Sequence, residues 1–161
     1  MMIIRKMEEK DIKGVQDVAK ASWHSTYEGI IPLDIQDRFL QAAYHDDMMQ
    51  VRLKESLVLV AEEDENIVGF ANFTYPDESG SSTLTAIYLL RDWQGEGLGS
   101  ALLREGLKAL QDVKKIFLDV EVENEAAVHF YKRKGFIIEK TYDDDFDGHI
   151  LHTHLMSLEI V

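Results

Sequence analysis

Three glycines, Gly95, Gly97 and Gly99, fall within five residues of the stretch LLRDWQGEGLGSALLREGLKAL, between an apolar run and a leucine-rich segment. Glycine inside a helix costs about 0.5 to 1 kcal/mol relative to alanine, so a cluster at a predicted helix start indicates that the backbone itself has to stay bare. We therefore expect a ligand to approach this backbone closely.

Two nucleotide-binding patterns can be compared with this cluster. A P-loop needs a Lys-Ser/Thr pair after its last glycine, and none follows Gly99. A dinucleotide fingerprint is nearly matched by Gly95, Gly97 and Ser100, with Asp119 lying 20 residues after Gly99. Only 62 residues follow Gly99, however, and the segment comes after predicted antiparallel strands. A dinucleotide fold would need a parallel sheet on both sides, so we disfavour it.

A second motif, NEAAVHFYKRKGF at residues 124–136, follows the glycine cluster. Together with the pattern Q-x-x-G-x-G at Gln94, Gly97 and Gly99, it resembles the GNAT N-acetyltransferases, whose second motif reads N-x-x-A-x-x-F-Y-x-x-x-G-F. The order of the predicted elements also agrees, so the resemblance covers essentially the whole chain.

The resemblance implies that the glycine loop binds acetyl-CoA. Bare N–H groups at a helix N-terminus, with the positive end of its dipole, bind an anion such as the CoA pyrophosphate. The alternative is a glycine-rich turn without a ligand, and Arg91 and Arg104 are either phosphate contacts or surface residues. The backbone implied to bind the pyrophosphate is that of Gln94, Gly95, Glu96, Gly97, Leu98, Gly99 and Ser100.

The strand before the loop is implied to hold the pantetheine arm through main-chain hydrogen bonds, as an added strand would. Its contact residues are Ile87, Tyr88 and Leu89. In this family two parallel strands splay apart beside the loop, and the second corresponds to IFLDVEV. From the second motif, the resemblance assigns Asn124 and Ala127 to the cofactor site, with Ala127 leaving room for the ligand.

Tyr131 is implied to be the catalytic acid. In direct transfer an amine attacks the thioester, an N–H near Leu89 stabilises the oxyanion, and the leaving thiolate takes a proton. Asn124 and Tyr131 are seven residues apart and share one helical face. The alternative is that Tyr131 is a core aromatic residue beside Phe130 and Phe136.

The general base is not evident in the sequence. A free primary amine has a pKa of about 10, so a side chain or a water chain has to take its proton at neutral pH. Many relatives carry a glutamate two or three positions before the Ile-Tyr pair, where this chain has Thr85 and Thr83. For the histidines a surface or core role is the simpler interpretation. The remaining candidates are a water relay, Glu121, Glu28, His24 and His149.

The segment SWHSTYEGIIP ends the first predicted helix, where relatives bind the acceptor. Trp23 and Tyr27 fall four apart on one face. With Glu28 and the segment DDDFDGH, which ends at His149, they could form an acidic, aromatic pocket for a polyamine or amino-sugar ammonium group. The stretch distantly resembles bacterial polyamine acetyltransferases. Trp23 and Tyr27 are equally compatible with a place in the core.

The rest of the chain predicts the elements that position these residues. We expect a strand at MIIRKM, a helix capped by Asp11, helices from Pro32 and His45, and a hairpin over residues 56–75. A strand, the helix after the glycines, another strand, a helix capped by Asn124 and two final strands follow. The prediction is a single α/β domain, 1–161, with a mixed, mostly antiparallel sheet of six or seven strands flanked by helices.

The composition of the chain disfavours several classes of binding partner and metal site. Lys and Arg number 17 against 30 for Asp and Glu, and the net charge of −13 repels nucleic acid and anionic membranes. Without cysteine there is no thiolate or cysteine-bound zinc, and His152 and His154 alone do not make a metal site, so no metal is expected. The N-terminus lacks a signal-peptide apolar core, and no apolar run approaches the ~18 residues of a transmembrane helix, so we expect a cytoplasmic protein.

The resemblance to the GNAT N-acetyltransferases implies transfer of an acetyl group from acetyl-CoA, as co-substrate, to a primary amine of a small molecule or protein. The alternative is a non-catalytic acyl-CoA-binding or regulatory module, which the absence of a strand glutamate allows and Tyr131 disfavours. The acceptor, the general base and the physiological role are left open, and a homodimer is compatible with the sequence.

Overall fold

The structure is a computed structural model that describes all 161 residues. None of its helices has both the length and the apolar character needed to cross a membrane. Short 3-10 turns occur at Glu9–Asp11 and Arg91–Trp93. The helices are α1 (Ile12–Tyr27), α2 (Leu33–Tyr44), α3 (Asp46–Glu55), α4 (Leu98–Ala109) and α5 (Glu125–Arg133). The strands are β1 (Met2–Lys6), β2 (Ser56–Glu63), β3 (Asn66–Thr74), β4 (Ser81–Leu89), β5 (Lys115–Glu121), β6 (Ile137–Phe146) and β7 (His149–Glu159).

The seven strands form one mixed sheet in the order β1-β2-β3-β4-β5-β7-β6. Every neighbouring pair is antiparallel except β4 and β5, which run parallel. Each predicted strand and helix is present, and the predicted fold class is confirmed.

The chain divides into two compact units. The first comprises Met1–Tyr75 and Leu84–Gln111, and the second comprises Pro76–Thr83 and Asp112–Val161. The first unit therefore holds the glycine loop and the part of β4 that leads into it. The second holds β5, the second motif and the two C-terminal strands.

In the first unit helices cover both faces of the sheet. On one face, Val58 and Val60 of β2 belong to a buried apolar cluster that also contains Val15 of α1 and Met49 of α3. On the opposite face α4 packs on β3, and a Cβ added at Gly106 would lie 2.2 Å from Phe73 Cζ. Burial on both faces explains why β2 reads as the continuous apolar run LVLVA rather than as an alternating strand.

Asp11 does not cap α1 with its side chain, contrary to the sequence prediction. Its carboxylate instead accepts two hydrogen bonds from the Arg5 guanidinium, at 2.7 and 2.9 Å, and one from the Glu8 N–H at 2.8 Å. Arg5 also contacts Glu62 Oε1 at 2.6 Å. The local sequence pattern predicts that the Asp11 carboxylate caps the helix. In the structure this carboxylate instead belongs to an ion-pair network centred on Arg5.

In the second unit β5 pairs with β7 along its whole length, and β7 pairs with β6. Ile116, Leu118 and Met156 are fully buried there, and α5 packs against β5. The parallel ladder between β4 and β5 contains only three residue pairs, the last joining Thr83 and Phe117.

Candidate functional site

The glycine loop leaves a row of backbone donors unused. Gly97 is the N-cap of α4 with φ +82°, and Gly95 has φ +79°, a left-handed conformation that favours glycine. The backbone N–H groups from Gly95 to Ser100 donate no backbone hydrogen bond. A Cβ at Gly95 or Gly97 would have no atom within 4 Å, so open space lies beside these donors. The loop therefore has the chemistry of an anion site.

The side chains around the loop differ in their surroundings. Leu98 is buried and fixes the first turn of α4 to the core. Gln94 donates its Nε2 hydrogen to the Leu89 carbonyl at 3.3 Å, which ties the loop to the end of β4. Arg91 and Arg104 are exposed. The fit to a phosphate-bearing ligand therefore rests on the backbone donors.

The end of β4 has two kinds of backbone group. Leu90 N–H donates to Val68 O, which directs Tyr88, two residues earlier, toward β3 as well. Ile87 and Leu89 consequently direct their N–H groups to the opposite edge, beyond the end of the parallel ladder at Thr83. The edge that could receive an extended ligand thus carries the N–H groups of two of the three predicted residues.

Tyr88 has a structural role in addition to its predicted main-chain one. Its ring makes an edge contact with Phe70 at a centroid distance of 5.4 Å, and its hydroxyl accepts a hydrogen bond from Trp23 Nε1 at 2.9 Å. Trp23 in turn stacks on Phe39 at 4.2 Å and contacts Tyr27 at 4.5 Å. Trp23 and Tyr27 are 4% and 7% exposed, so the core interpretation describes both side chains. Glu28, the C-cap of α1, is exposed.

The second motif forms the start of α5. Asn124 Oδ1 accepts a hydrogen bond from the Ala127 N–H at 3.4 Å, which confirms the predicted cap. Tyr131 is half-buried between Phe130 and Phe136, at centroid distances of 5.3 and 5.5 Å. Its hydroxyl makes no hydrogen bond to the rest of the chain. Both of the roles considered for Tyr131 are compatible with this environment.

Burial is the main reason why the pKa of Tyr131 lies above its ordinary range, and the charge of Glu121 raises it further. A phenol with a raised pKa stays protonated at neutral pH, as a proton donor has to. Glu121 ends β5 close enough to Tyr131 for this electrostatic effect. The structure therefore brings one of the candidate bases and the candidate acid into the same neighbourhood.

The register of β5, β7 and β6 places further polar groups beside Glu121. Glu121 pairs directly with Thr153, and Thr153 pairs with Tyr142, so the three side chains lie on one face. Asp119 and Asp144 are two residues from Glu121 and Tyr142 along their strands, and share that face. The sequence analysis did not consider Tyr142 and Thr153, because the pairing that brings them next to Glu121 depends on the strand register.

The three histidines of β7 lie on two different faces of the sheet. His149 pairs with Phe146 and lies on the Thr153 face. His152 and His154 lie on the opposite face, where Asp143 Oδ1 contacts His152 Nδ1 at 2.5 Å and Thr141 contacts His154 Nδ1 at 2.7 Å. His24 contacts Asp37 at 2.9 Å. No group of three or more potential metal ligands is present.

Comparison with known proteins places these features in a family. The model of the Acetyltransferase (GNAT) family matches residues 19–136. The uncharacterized N-acetyltransferase YuaI of Bacillus subtilis is 31% identical over 91% of this chain and 86% of its own. The spermidine N(1)-acetyltransferase of Thermoplasma acidophilum is 26% identical over 89% of this chain and 92% of its own. The crystal structure of a PaiA N-acetyltransferase from the same organism, in complex with coenzyme A, has the same fold, with a TM-score of 0.85, 23% identity and 99% of each chain covered.

Proposed function

This chain belongs to the GNAT family of acetyltransferases, and from that premise we propose that it transfers an acetyl group from acetyl-CoA to a primary amine by direct attack in a ternary complex. The observation that carries the proposal is the row of unused N–H groups from Gly95 to Ser100 at the start of α4. An anionic ligand such as a pyrophosphate satisfies donors of this kind at a helix N-terminus.

The pantetheine arm extends along the edge of β4 that carries the Ile87 and Leu89 N–H groups. An N–H at Leu89 also suits the thioester carbonyl, because it can stabilise the negative charge that develops on the carbonyl oxygen. Asn124 and Ala127, at the start of α5, complete the cofactor contacts. The support for these assignments is the backbone direction in β4 and the match of both motifs.

Tyr131 donates a proton to the sulfur of the departing CoA. Two properties support this role: the hydroxyl makes no hydrogen bond within the chain, and Tyr131 occupies the motif position of the family's tyrosine. Phe130 and Phe136 both make edge contacts with the ring, which restrict its orientation.

The acceptor is a small-molecule or protein amine, and a polyamine-like compound is the first choice. The net charge of −13 favours a cationic substrate, and a relative that is 26% identical is named for acetylating spermidine. Glu121 is our candidate to take the proton of the amine, because its charge acts on Tyr131.

The experiment is to measure thiol release from acetyl-CoA with a panel of polyamines, amino sugars and peptide amines, with mass spectrometry of each product. We expect thiol release that depends on the amine and an acetylated product. A non-catalytic acyl-CoA-binding module would instead show a thermal shift with acetyl-CoA and no release above hydrolysis with any amine. No thiol release with any amine would refute acetyl transfer, and the absence of a thermal shift as well would refute cofactor binding.

A further inference from the structure

Gly69 of β3 lies directly opposite Leu89, the last residue of β4. The φ angle of Gly69 is not in the left-handed region, so other residues can adopt this backbone conformation. Glycine inside a strand weakens the strand, and it often marks the close approach of another group. The reason for a glycine at this position therefore lies in its surroundings.

The side chain of Leu89 occupies the space that a side chain at position 69 would need. A Cβ added at Gly69 would lie 2.6 Å from Leu89 Cδ2 and 3.1 Å from the Tyr88 carbonyl oxygen. Leu90 N–H donates to Val68 O, and hydrogen-bonded pairs alternate with non-hydrogen-bonded pairs along an antiparallel ladder. Gly69 and Leu89 are therefore a non-hydrogen-bonded pair, the type whose Cα atoms are only about 4.5 Å apart. Leu89 thus packs directly on the bare backbone of β3.

The same pairing fixes the direction of the Leu89 backbone. In a non-hydrogen-bonded pair neither the N–H nor the carbonyl group faces the partner strand, so both of these groups of Leu89 point to the other edge of β4. The carbonyl oxygen accepts the hydrogen bond from Gln94 Nε2 at 3.3 Å. The N–H is the group that the proposed function assigns to the thioester carbonyl. The position of this N–H depends on how closely Leu89 packs on Gly69.

We propose that Gly69 is a positioning residue for acetyl transfer, because its missing side chain lets Leu89 pack on β3 and so places the Leu89 N–H at the ligand edge. The inference rests on the proposed function and adds to it a residue that acts through Leu89. A Cβ at position 69 would displace the Leu89 side chain, and the Tyr88 carbonyl would have to give way by a few tenths of an ångström. Because a displacement of about 1 Å can cost roughly 100-fold in rate, this smaller shift of the donor should cost about 10-fold.

Gly69→Ala tests this role through the difference between turnover and CoA binding. CoA lacks the thioester carbonyl, so its affinity does not include the contact between the Leu89 N–H and that carbonyl. We expect kcat to fall roughly 10-fold, while the dissociation constant of CoA in calorimetry changes by less than about twofold. A loss of CoA affinity as large as the loss of kcat would show that the substitution disrupts the whole site, and would overturn the positioning role.

Gly14→Ala is the matched control. Its Cβ would lie 2.8 Å from Ile67 Cγ1, so this variant also displaces an aliphatic side chain, but it pushes from α1 on β3 and not on β4. Gly14, like Gly69, has no left-handed φ angle. We expect the kcat and the CoA affinity of this variant to match those of the unmodified protein. Equal losses of kcat in Gly14→Ala and Gly69→Ala would contradict the proposal.

Leu89→Val provides a rescue, because valine lacks the Cδ2 methyl group that the new Cβ would meet. In the double variant Gly69→Ala/Leu89→Val, kcat should return to the value of Leu89→Val alone, since the overlap is removed and the backbone N–H is kept. A double variant with a kcat well below that of Leu89→Val would mean that Gly69 does not act through the Leu89 side chain. This comparison decides the question even if Gly69→Ala alone folds poorly.

An NMR measurement gives a readout that does not depend on turnover. In protein with isotope-labelled leucine, the Leu89 amide proton should shift downfield when acetyl-CoA replaces CoA, because a hydrogen bond to the thioester carbonyl forms. Gly69→Ala should reduce this shift and Gly14→Ala should retain it. The same shift in both variants would overturn the positioning role and leave the proposed function standing. No thiol release with any amine would refute acetyl transfer, while a shift reduced only in Gly69→Ala would still support the positioning of the Leu89 N–H.

Discussion

Replacement of Gly97 by alanine tests the anion site with a control in the same chain. Gly97 has φ +82° and Gly148, in the β6–β7 turn, has φ +83°. A Cβ added at either position would have no atom within 4 Å, so neither replacement creates a clash in the free protein. A difference between the two variants in the shift that acetyl-CoA produces is therefore a measure of ligand binding.

The two variants should lose similar stability. A left-handed conformation costs an L-residue about 1 to 2 kcal/mol. Alanine recovers roughly 0.4 to 1 kcal/mol of this by restricting the unfolded chain. We expect both Gly97→Ala and Gly148→Ala to lower the free energy of unfolding by roughly 1 kcal/mol.

Their response to acetyl-CoA should differ. At 100 times its dissociation constant, a ligand that binds only the folded state adds ~2.7 kcal/mol of stability. At about 2 to 4 °C per kcal/mol for a chain of this size, the melting temperature should rise by roughly 5 to 11 °C. Gly148→Ala should keep this shift. Gly97→Ala should lose most of it, because the methyl group enters the space beside the free N–H groups.

Differential scanning fluorimetry with and without acetyl-CoA measures both effects on one preparation. Equal ligand shifts in Gly97→Ala and Gly148→Ala would show that acetyl-CoA does not use the loop. A melting temperature of the unmodified protein that millimolar acetyl-CoA leaves unchanged would refute cofactor binding altogether.

Three further predictions concern catalysis, packing and pH. Tyr131→Phe should lower kcat roughly 10²- to 10⁴-fold without changing the melting temperature, because the hydroxyl makes no hydrogen bond in the chain; normal kcat would make Tyr131 structural. Gly106→Ala should lower the free energy of unfolding by about 1 to 3 kcal/mol, because its Cβ would lie 2.2 Å from the Phe73 ring. In chemical denaturation of the double variant, Phe73→Leu should relieve part of that loss, and additive losses would contradict this packing. Burial raises the pKa of Asp11, but the hydrogen bonds from Arg5 and from the Glu8 N–H together lower it by more. The pKa of Asp11 therefore lies below its ordinary value. Its contribution to stability is then present above about pH 4 and lost as pH falls through the folded-state pKa, and Asp11→Asn should flatten the acid side of the stability curve.

The sequence predicted the elements because their signals are local. The periods of three and four residues in α1 and α4, the hairpin pattern around EEDEN and the Asn124 cap all depend on neighbours along the chain. The glycine loop was predictable for the same reason, since left-handed backbone at Gly95 and Gly97 needs no distant partner.

Side-chain partners and strand register were not predictable in this way. The role of Asp11 depends on Arg5, whose guanidinium also contacts Glu62 across 57 residues of sequence. The acidic run DDDFDG looked like one patch, but strand pairing places Asp143 and Asp144 on opposite faces. Composition gave the charge of this segment, and only the register showed which of the two carboxylates shares a face with Glu121.

Thr85 lies in the part of β4 where many relatives carry a glutamate, and it also affects the course of the strand. The register between β3 and β4 shifts so that Asn72 pairs with Ala86 and Phe73 with Leu84, which leaves Thr85 as the extra residue of a bulge. Thr85 Oγ1 donates to the Asn72 carbonyl at 3.1 Å, so its hydroxyl holds the bulge together. Resemblance to the family places an acid in this part of the strand, but a carboxylate could not donate this hydrogen bond. Because bulges bend a strand, Thr85 helps to set the direction of the β4 edge that we propose for the cofactor. The proposed transfer then needs another group to take the proton of the amine, for which Glu121 is our candidate.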